Sequence, residues 1–183
     1  MLNDLEIKQL YDYNKSIYEN EVYKSENRLS KNIMPGFFNR NKILFVGQNP
    51  GQPSQTDVHQ NEKMPFDEHE VDYFAGFLKC RIGIYIKAIL DQLRLNVFDI
   101  GFTNIVKYST INNVKPTSEE AEIMMPILID QINFFQPEKI VAIGSFASDK
   151  LKDIKHVRIN HPASHNYSFF RIAMDAKIIN GGS

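Results

Sequence analysis

From Lys42 onward, short apolar runs that end at glycine, proline or asparagine alternate with longer stretches whose apolar residues recur every three or four positions. The sharpest run is Ile43-Leu-Phe-Val46, which leads straight into Gly47-Gln-Asn-Pro-Gly51. It lacks polar alternation, the pattern of a parallel strand buried on both faces. Comparable runs predict strands over about Ile100 to Val106, Glu138 to Ile143 and His156 to Ile159. Between the first two, Ile82, Tyr85, Ile86, Ile89, Leu90 and Leu93 fall at helical spacing. Thr117 and Glu120 have the spacing of a capping box, starting a helix that runs to about Phe135, where Gln136-Pro137 ends it. A short helix from Gly144-Ser145 to about Leu151 and a last one from about Ser168 to Ile179 complete the pattern. Upstream, Leu5, Leu10, Tyr13 and Ile17 predict an amphipathic helix over residues 4 to 19. Residues 20 to 40 read as a polar, then turn-rich segment that wraps the sheet ahead of its first strand.

Strands alternating with helices predict an α/β fold in one domain over residues 1–183: a three-layer α/β/α arrangement with a central four-stranded parallel sheet and right-handed crossovers. That topology puts Asn49, Asn104 and His161 at strand carboxyl ends, on the rim where open α/β sheets bind ligands. Gln48 and Asn49 do not ionise. Chemistry there must rest on amide hydrogen bonds, on a positioned water, or on backbone donors aimed at developing charge. Plainer readings stay open for each residue: a strand-to-loop turn at Asn49, a turn former at Asn104, a core or turn histidine at His161.

After Gly51 a long polar loop, Gln52 to Lys63, ends at Met64-Pro-Phe66. Loops of that length inside a domain are functional or disordered. Pro65 stiffens the backbone before Phe66, whose ring either faces a site or anchors the loop to the core. Asp67 to Glu70, with His69, has no partner cluster at metal-ligand spacing.

With 183 residues, 43% hydrophobic and 11% aromatic, the chain can bury one sizeable core. A net charge of -1 excludes a strong global basic field, so a nucleic-acid partner needs a local patch. Lys107, Lys115, Lys155, Arg158 and Arg171 are the candidates for phosphate contact, a solvated surface charge being the plainer reading of Lys107. Cys80 is the only cysteine, which removes a disulfide framework and a cysteine metal cluster. No apolar run of about 18 residues and no signal-peptide pattern occur, so a soluble intracellular protein is expected.

Taken in order, Gly47-Gln-Asn-Pro-Gly51, Pro65-Phe66, Thr103-Asn-Ile-Val-Lys107 and His161-Pro-Ala-Ser164 resemble the motifs of the uracil-DNA glycosylase superfamily. The first motif is most similar to the mismatch-specific and single-strand-selective branches. The middle of the chain, from Thr103 through Lys115-Pro-Thr-Ser-Glu-Glu120 to Val141-Ala-Ile-Gly144, is more similar to the thermostable branch that carries an iron–sulfur cluster. The resemblance implies a DNA repair hydrolase that cleaves the N-glycosidic bond of uracil or a related deaminated base. It also implies a monomer acting on DNA away from any membrane, without cofactor or metal. Asn49 matches the residue that positions the hydrolytic water, for which the family's faster members use Asp. Phe66 resembles the ring that stacks on the flipped base, with Tyr73, Phe74 and Phe77 as rivals. Asn104 matches the reader of the uracil edge, and His161, helped by the backbone of Gln48, the group that hydrogen-bonds uracil O2. Ala163 and Ser164 belong to the loop that presses into the minor groove, and His165 follows where a Leu or Arg wedge is usual. Ser164, His165 and Lys107 are therefore the candidate DNA contacts. A second reading, a base- or nucleic-acid-binding module without turnover, draws on Asn49 in place of Asp and on the irregular wedge loop.

Overall fold

The computed structural model describes residues 29–33 as backbone, and residues 36–51, 77–110, 112, 114–162 and 168–181 with their side chains. The helix expected over residues 4 to 19 and the loop from 52 to 63 lie outside these residues. The described strands are β1 (Leu29–Ile33), β2 (Phe37–Phe38), β3 (Ile43–Gly47), β4 (Ile100–Asn104), β5 (Tyr108–Thr110), β6 (Lys139–Ile143) and β7 (Val157–Ile159). The helices are α1 (Arg81–Leu93), α2 (Ser118–Phe135), α3 (Ser145–Lys150) and α4 (Phe169–Gly181).

The main sheet has the order β2-β4-β3-β6-β7. Four strands, β4, β3, β6 and β7, are parallel, as the alternation of strands and helices predicts. The path from β3 through α1 reaches β4 on one side, and the path from β4 through α2 returns across β3 to β6 on the other. The gap between β3 and β6 is thus the switch point at which such sheets hold ligands.

Two features correct the expected four-stranded picture. β2 adds a fifth strand, antiparallel to β4, with Phe37 opposite Phe102 and Phe38 opposite Gly101. β1 pairs antiparallel with β5 in a separate ladder, Leu29 opposite Thr110 and Ile33 opposite Tyr108. The segment expected only to wrap the sheet therefore contributes two strands. A two-residue strand leaves no periodicity to read, and Leu29-Ser-Lys-Asn-Ile33 is too polar to stand out.

Strand pleating divides the core into two layers. Ile43 and Phe45 face Tyr85, Ile86, Ile89 and Leu90 of α1 and Ala176 and Ile179 of α4. Leu44 and Val46 face Ala121, Met124 and Leu128 of α2 and Phe146 and Ala147 of α3. Alternate side chains of one strand thus hold opposite helical layers, which explains the absence of any polar position along it. The Tyr85 hydroxyl donates to Asp175 Oδ2 at 2.6 Å, joining α1 to α4. Burial, with the Asp175 carboxylate beside it, pushes the Tyr85 phenol up to about 12. At the other end of α4, Lys139 Nζ donates to the Ile179 carbonyl at 2.5 Å, at the amino edge of the sheet. The start of α4 therefore lies at the carboxyl rim, where Phe169 and Phe170 stand 74% and 73% exposed. No described helix is long and apolar enough to cross a membrane.

Asp99 fixes the entry to β4. Its carboxylate accepts from the backbone N–H of Asn96 at 3.1 Å, closing a capping box in which Asn96 Oδ1 accepts from Phe98 N at 2.8 Å. Arg40 and Lys42 approach within 3.4 and 3.6 Å, but both are largely exposed, so solvent screens them. The Asn96 N–H is the main cause that holds the Asp99 carboxyl below its usual range, against its burial. Asp99→Ala is expected to cost about 2 kcal/mol, as for a lost bond to a charged group, seen as a lower urea midpoint. In the wild type this contribution is present above the ordinary carboxylate pKa and is lost as pH falls through the lowered native value. The Asp99→Ala protein should lack that part of the acid sensitivity.

Candidate active site

The rim is built outward from Gly47, the last residue of β3. Ile105 N donates to the Gly47 carbonyl at 2.9 Å and Val106 N to the Gln48 carbonyl at 3.0 Å. The chain leaving β4 therefore stays beside the chain leaving β3. Gly47 is the register partner of Asn104. A Cβ on Gly47 would stand 2.4 Å from Asn104 Oδ1, so glycine is what lets that amide lie against the β3 backbone. Asn104 is buried there, at the carboxyl end of its strand.

Asn49 is half-buried two residues beyond β3, and both ends of its amide are engaged. Its Nδ2 donates to the Pro50 carbonyl at 3.2 Å and to Thr110 Oγ1 at 3.4 Å, while its Oδ1 accepts from Gln48 Nε2 at 3.1 Å. Ser109 Oγ donates to the Gly51 carbonyl at 2.9 Å. β5 thus braces the turn through Ser109 and Thr110, a role that no sequence pattern suggests, because it arises from the chain folding back after β4.

His161 follows β7 and is half-buried. Gly144, at φ 87°, turns the chain out of β6 while its N–H donates to the Ile159 carbonyl at 2.8 Å. A Cβ at Gly144 would lie 3.4 Å from His161 Cβ, so the two loops are in contact. Burial first, and then the positive charge of Arg81, lower the His161 pKa, leaving a neutral imidazole at neutral pH. Arg81, the exposed first residue of α1, is a rim cation that the sequence reading missed. It becomes visible only through its charge acting on His161, from an element distant in sequence. The turn after β6 lies between the loop after β7 that carries His161 and the loop after β3 that carries Asn49.

Lys107 must be corrected. Expected at a phosphate or in solvent, it is 0% exposed. Its Nζ donates to Thr103 Oγ1 at 2.8 Å, to the Asn104 carbonyl at 2.5 Å and to Gln131 Oε1 at 2.7 Å. Phe77 is corrected too: as a rival stacking ring it would face the site, but it is buried with its centroid 4.8 Å from those of both Phe37 and Phe102. Phe66, Tyr73, Phe74, Ala163, Ser164 and His165 lie outside the described residues. Of the other candidate cations, Lys115, Lys155 and Arg158 are exposed, and Lys115 Nζ sits 5.2 Å over the Phe146 ring. Arg171 is largely covered, its Nε 3.9 Å from Asp175 Oδ2.

The iron–sulfur cluster of the similar thermostable branch does not fit this chain. Such clusters are held by several cysteine thiolates, and Cys80, the only cysteine, caps α1 by accepting from Gly83 N at 3.4 Å. Among the described residues no group of three or more His, Cys, Asp or Glu side chains could hold a metal ion.

The four parallel strands of an α/β sheet thus carry Asn104 at the end of β4, Asn49 two residues beyond β3 and His161 two residues beyond β7, on either side of the switch point. The model of the uracil DNA glycosylase superfamily matches residues 35–180, and the chain belongs to that superfamily. It is similar to the type-4 uracil-DNA glycosylase of Archaeoglobus fulgidus, 27% identical over 152 residues, or 81% of this chain and 68% of the relative. The enzyme of the same name from Saccharolobus solfataricus is 32% identical over 125 residues, 68% of this chain and 50% of the relative. That of Pyrobaculum aerophilum is 33% identical over 72 residues, 39% of this chain and 37% of the relative. The chain thus spans half or less of the last two.

Proposed function

We propose that this chain is a DNA glycosylase that hydrolyses the N-glycosidic bond of uracil, or of a related deaminated base, in DNA. The observation that carries the reading is the pairing of Asn104 with Gly47, two residues before Asn49, at adjacent strand ends, with His161 following β7 across the switch point. The names of the similar enzymes support the same substrate.

In this reading the extruded base lies between Asn104 and His161. The Asn104 amide accepts from N3–H and donates to O4, a pairing that cytosine cannot offer. Neutral His161 donates a ring N–H to O2, where charge gathers as the bond to N1 breaks, and the Gln48 backbone adds to that cradle. Asn49 Oδ1 already accepts from Gln48 Nε2 and keeps a second lone pair with which to hold a water facing C1′. The C1′–N1 bond breaks, the water oxygen bonds to C1′, its proton passes to solvent, and the base leaves as an anion that solvent protonates. An amide takes no proton at neutral pH, so Asn49 orients the water without deprotonating it. Flipping the base out of the stack costs a few kcal/mol, less at a mismatch or in a single strand.

A single-labelled oligonucleotide containing uracil, incubated with the protein and then treated with alkali, tests the reading by strand scission. The amide at position 49, tied to Pro50 and Thr110, also supports the second reading, a module that binds without turnover. A gel shift without scission would favour it, and the absence of both on single- and double-stranded DNA would sink both readings. Asn49→Asp is expected to keep or raise the single-turnover excision rate, because a carboxylate holds the same water and can also take its proton. A fall of more than about tenfold would remove Asn49 from the water-positioning role.

A further inference from the structure

We propose that Lys107 is a positioning residue for base excision: its buried ammonium fixes the end of β4 that carries Asn104 and sets a positive charge behind the base pocket, easing departure of the pyrimidine anion. This rests on the glycosylase reading above.

The argument begins with a cation that is hard to justify otherwise. Lys107 is 0% exposed, and among the described residues the partners of its Nζ are three neutral oxygens, on Thr103, Asn104 and Gln131. A buried charge without a counter-charge is costly to folding, and an apolar side chain of similar volume would avoid that cost. Burial accordingly pushes the Lys107 pKa well down. The local geometry works the other way. Thr103 Oγ1 donates its own proton to Gln131 Oε1 at 3.1 Å and so offers only lone pairs to Nζ. The Gln131 oxygen and the Asn104 carbonyl are acceptors by nature. Three acceptors around one nitrogen suit an ammonium with three N–H bonds, whereas a neutral amine would point its lone pair at one of them.

The placement then connects this charge to the site. Thr103 and Gln131 hold Nζ on the α2 side of β4, while the Asn104 amide lies on the other side, against Gly47 and near Phe102. The ammonium grips the Asn104 carbonyl itself, one residue's width from the amide that would read the base. In a site shielded from water, a fixed charge at that range acts on an anion far more strongly than in solvent. It also needs no reorganisation when the anion forms.

The test compares release of uracil with release of 5-fluorouracil, whose electron-withdrawing substituent makes it the better leaving group, from otherwise identical oligonucleotides. Lys107→Met removes the charge. Gln131→Glu keeps all three contacts and cancels the charge with a neighbouring carboxylate, so it remains informative if Lys107→Met does not fold. Either variant is expected to lose about 10- to 100-fold in kcat on uracil with little change in KM, and several-fold less on 5-fluorouracil. Loss by the same factor on both bases, or no loss in either folded variant, would overturn the proposal. A wild-type chain that releases neither base would overturn it together with the reading on which it stands, and the wild-type control reports that case separately.

Discussion

A Gly47→Ala protein is expected to fold and yet lose about a hundredfold or more in excision rate. The added Cβ would lie 2.4 Å from Asn104 Oδ1, inside any tolerable contact. Of the two partners, the backbone is the less free to move: Gly47 and Gln48 accept from Ile105 and Val106 across the ladder, and Val46 is packed at 0% exposure. The Asn104 amide must therefore swing away. Misplacement of a binding group by about 1 Å can cost about 10²-fold. A thermal melt close to wild type would show that the fold survives. The sharper measurement is a double-mutant cycle with Asn104→Ala. If Gly47 acts only through that amide, the double variant is no slower than Asn104→Ala alone. Additive losses, or a Gly47→Ala enzyme as fast as wild type, would break the link between the β3 glycine and base reading.

His161→Ala should be comparably damaging. Loss of one donor to a developing oxyanion typically costs 10²- to 10³-fold in kcat, about 2.7–4 kcal/mol. His161→Asn, which keeps an N–H, should lose less, and an alanine variant within about threefold of wild type would exclude the role. The lowered pKa adds a signed expectation. A histidine whose native pKa lies below its unfolded value of 6.5 stabilises the fold fully above 6.5, and that contribution is lost as pH falls through the lowered native value. Wild-type stability should thus decline on acidification below 6.5, and His161→Ala should flatten that decline. Arg81→Ala should move the imidazole titration, followed by NMR, back toward the ordinary value, leaving burial as the remaining cause.

How much of this was legible in the sequence depended on the range of the interaction. β3, α1 and the start of α2 were readable because each is dictated by its own residues: an unbroken apolar run, a three-and-four spacing, and the Thr117–Glu120 pair whose reciprocal bonds form at 3.1 and 2.6 Å. Asn49, Asn104 and His161 were readable as ends of such runs, and a parallel sheet brings strand ends to one rim. The support around them was not. Thr110 meets Asn49 across 61 positions and Arg81 meets His161 from another element, through topology that no local pattern encodes. Lys107 misled because lysine is almost always at the surface, and its three partners are brought together only by the end of β4 and the middle of α2.

The shortest strand has the widest reach. Phe37 packs into the layer of α1 and α4, with its ring 4.8 Å from that of Phe77, while Phe38 lies flat on Phe135 of α2 at 3.8 Å. Two neighbouring rings thus rivet both helical coats to the same margin of the sheet. Their backbone also occupies the flank of β4 that would otherwise invite a stranger's strand. One margin of the sheet is thus closed, at Gly101 and Phe102, by a dipeptide.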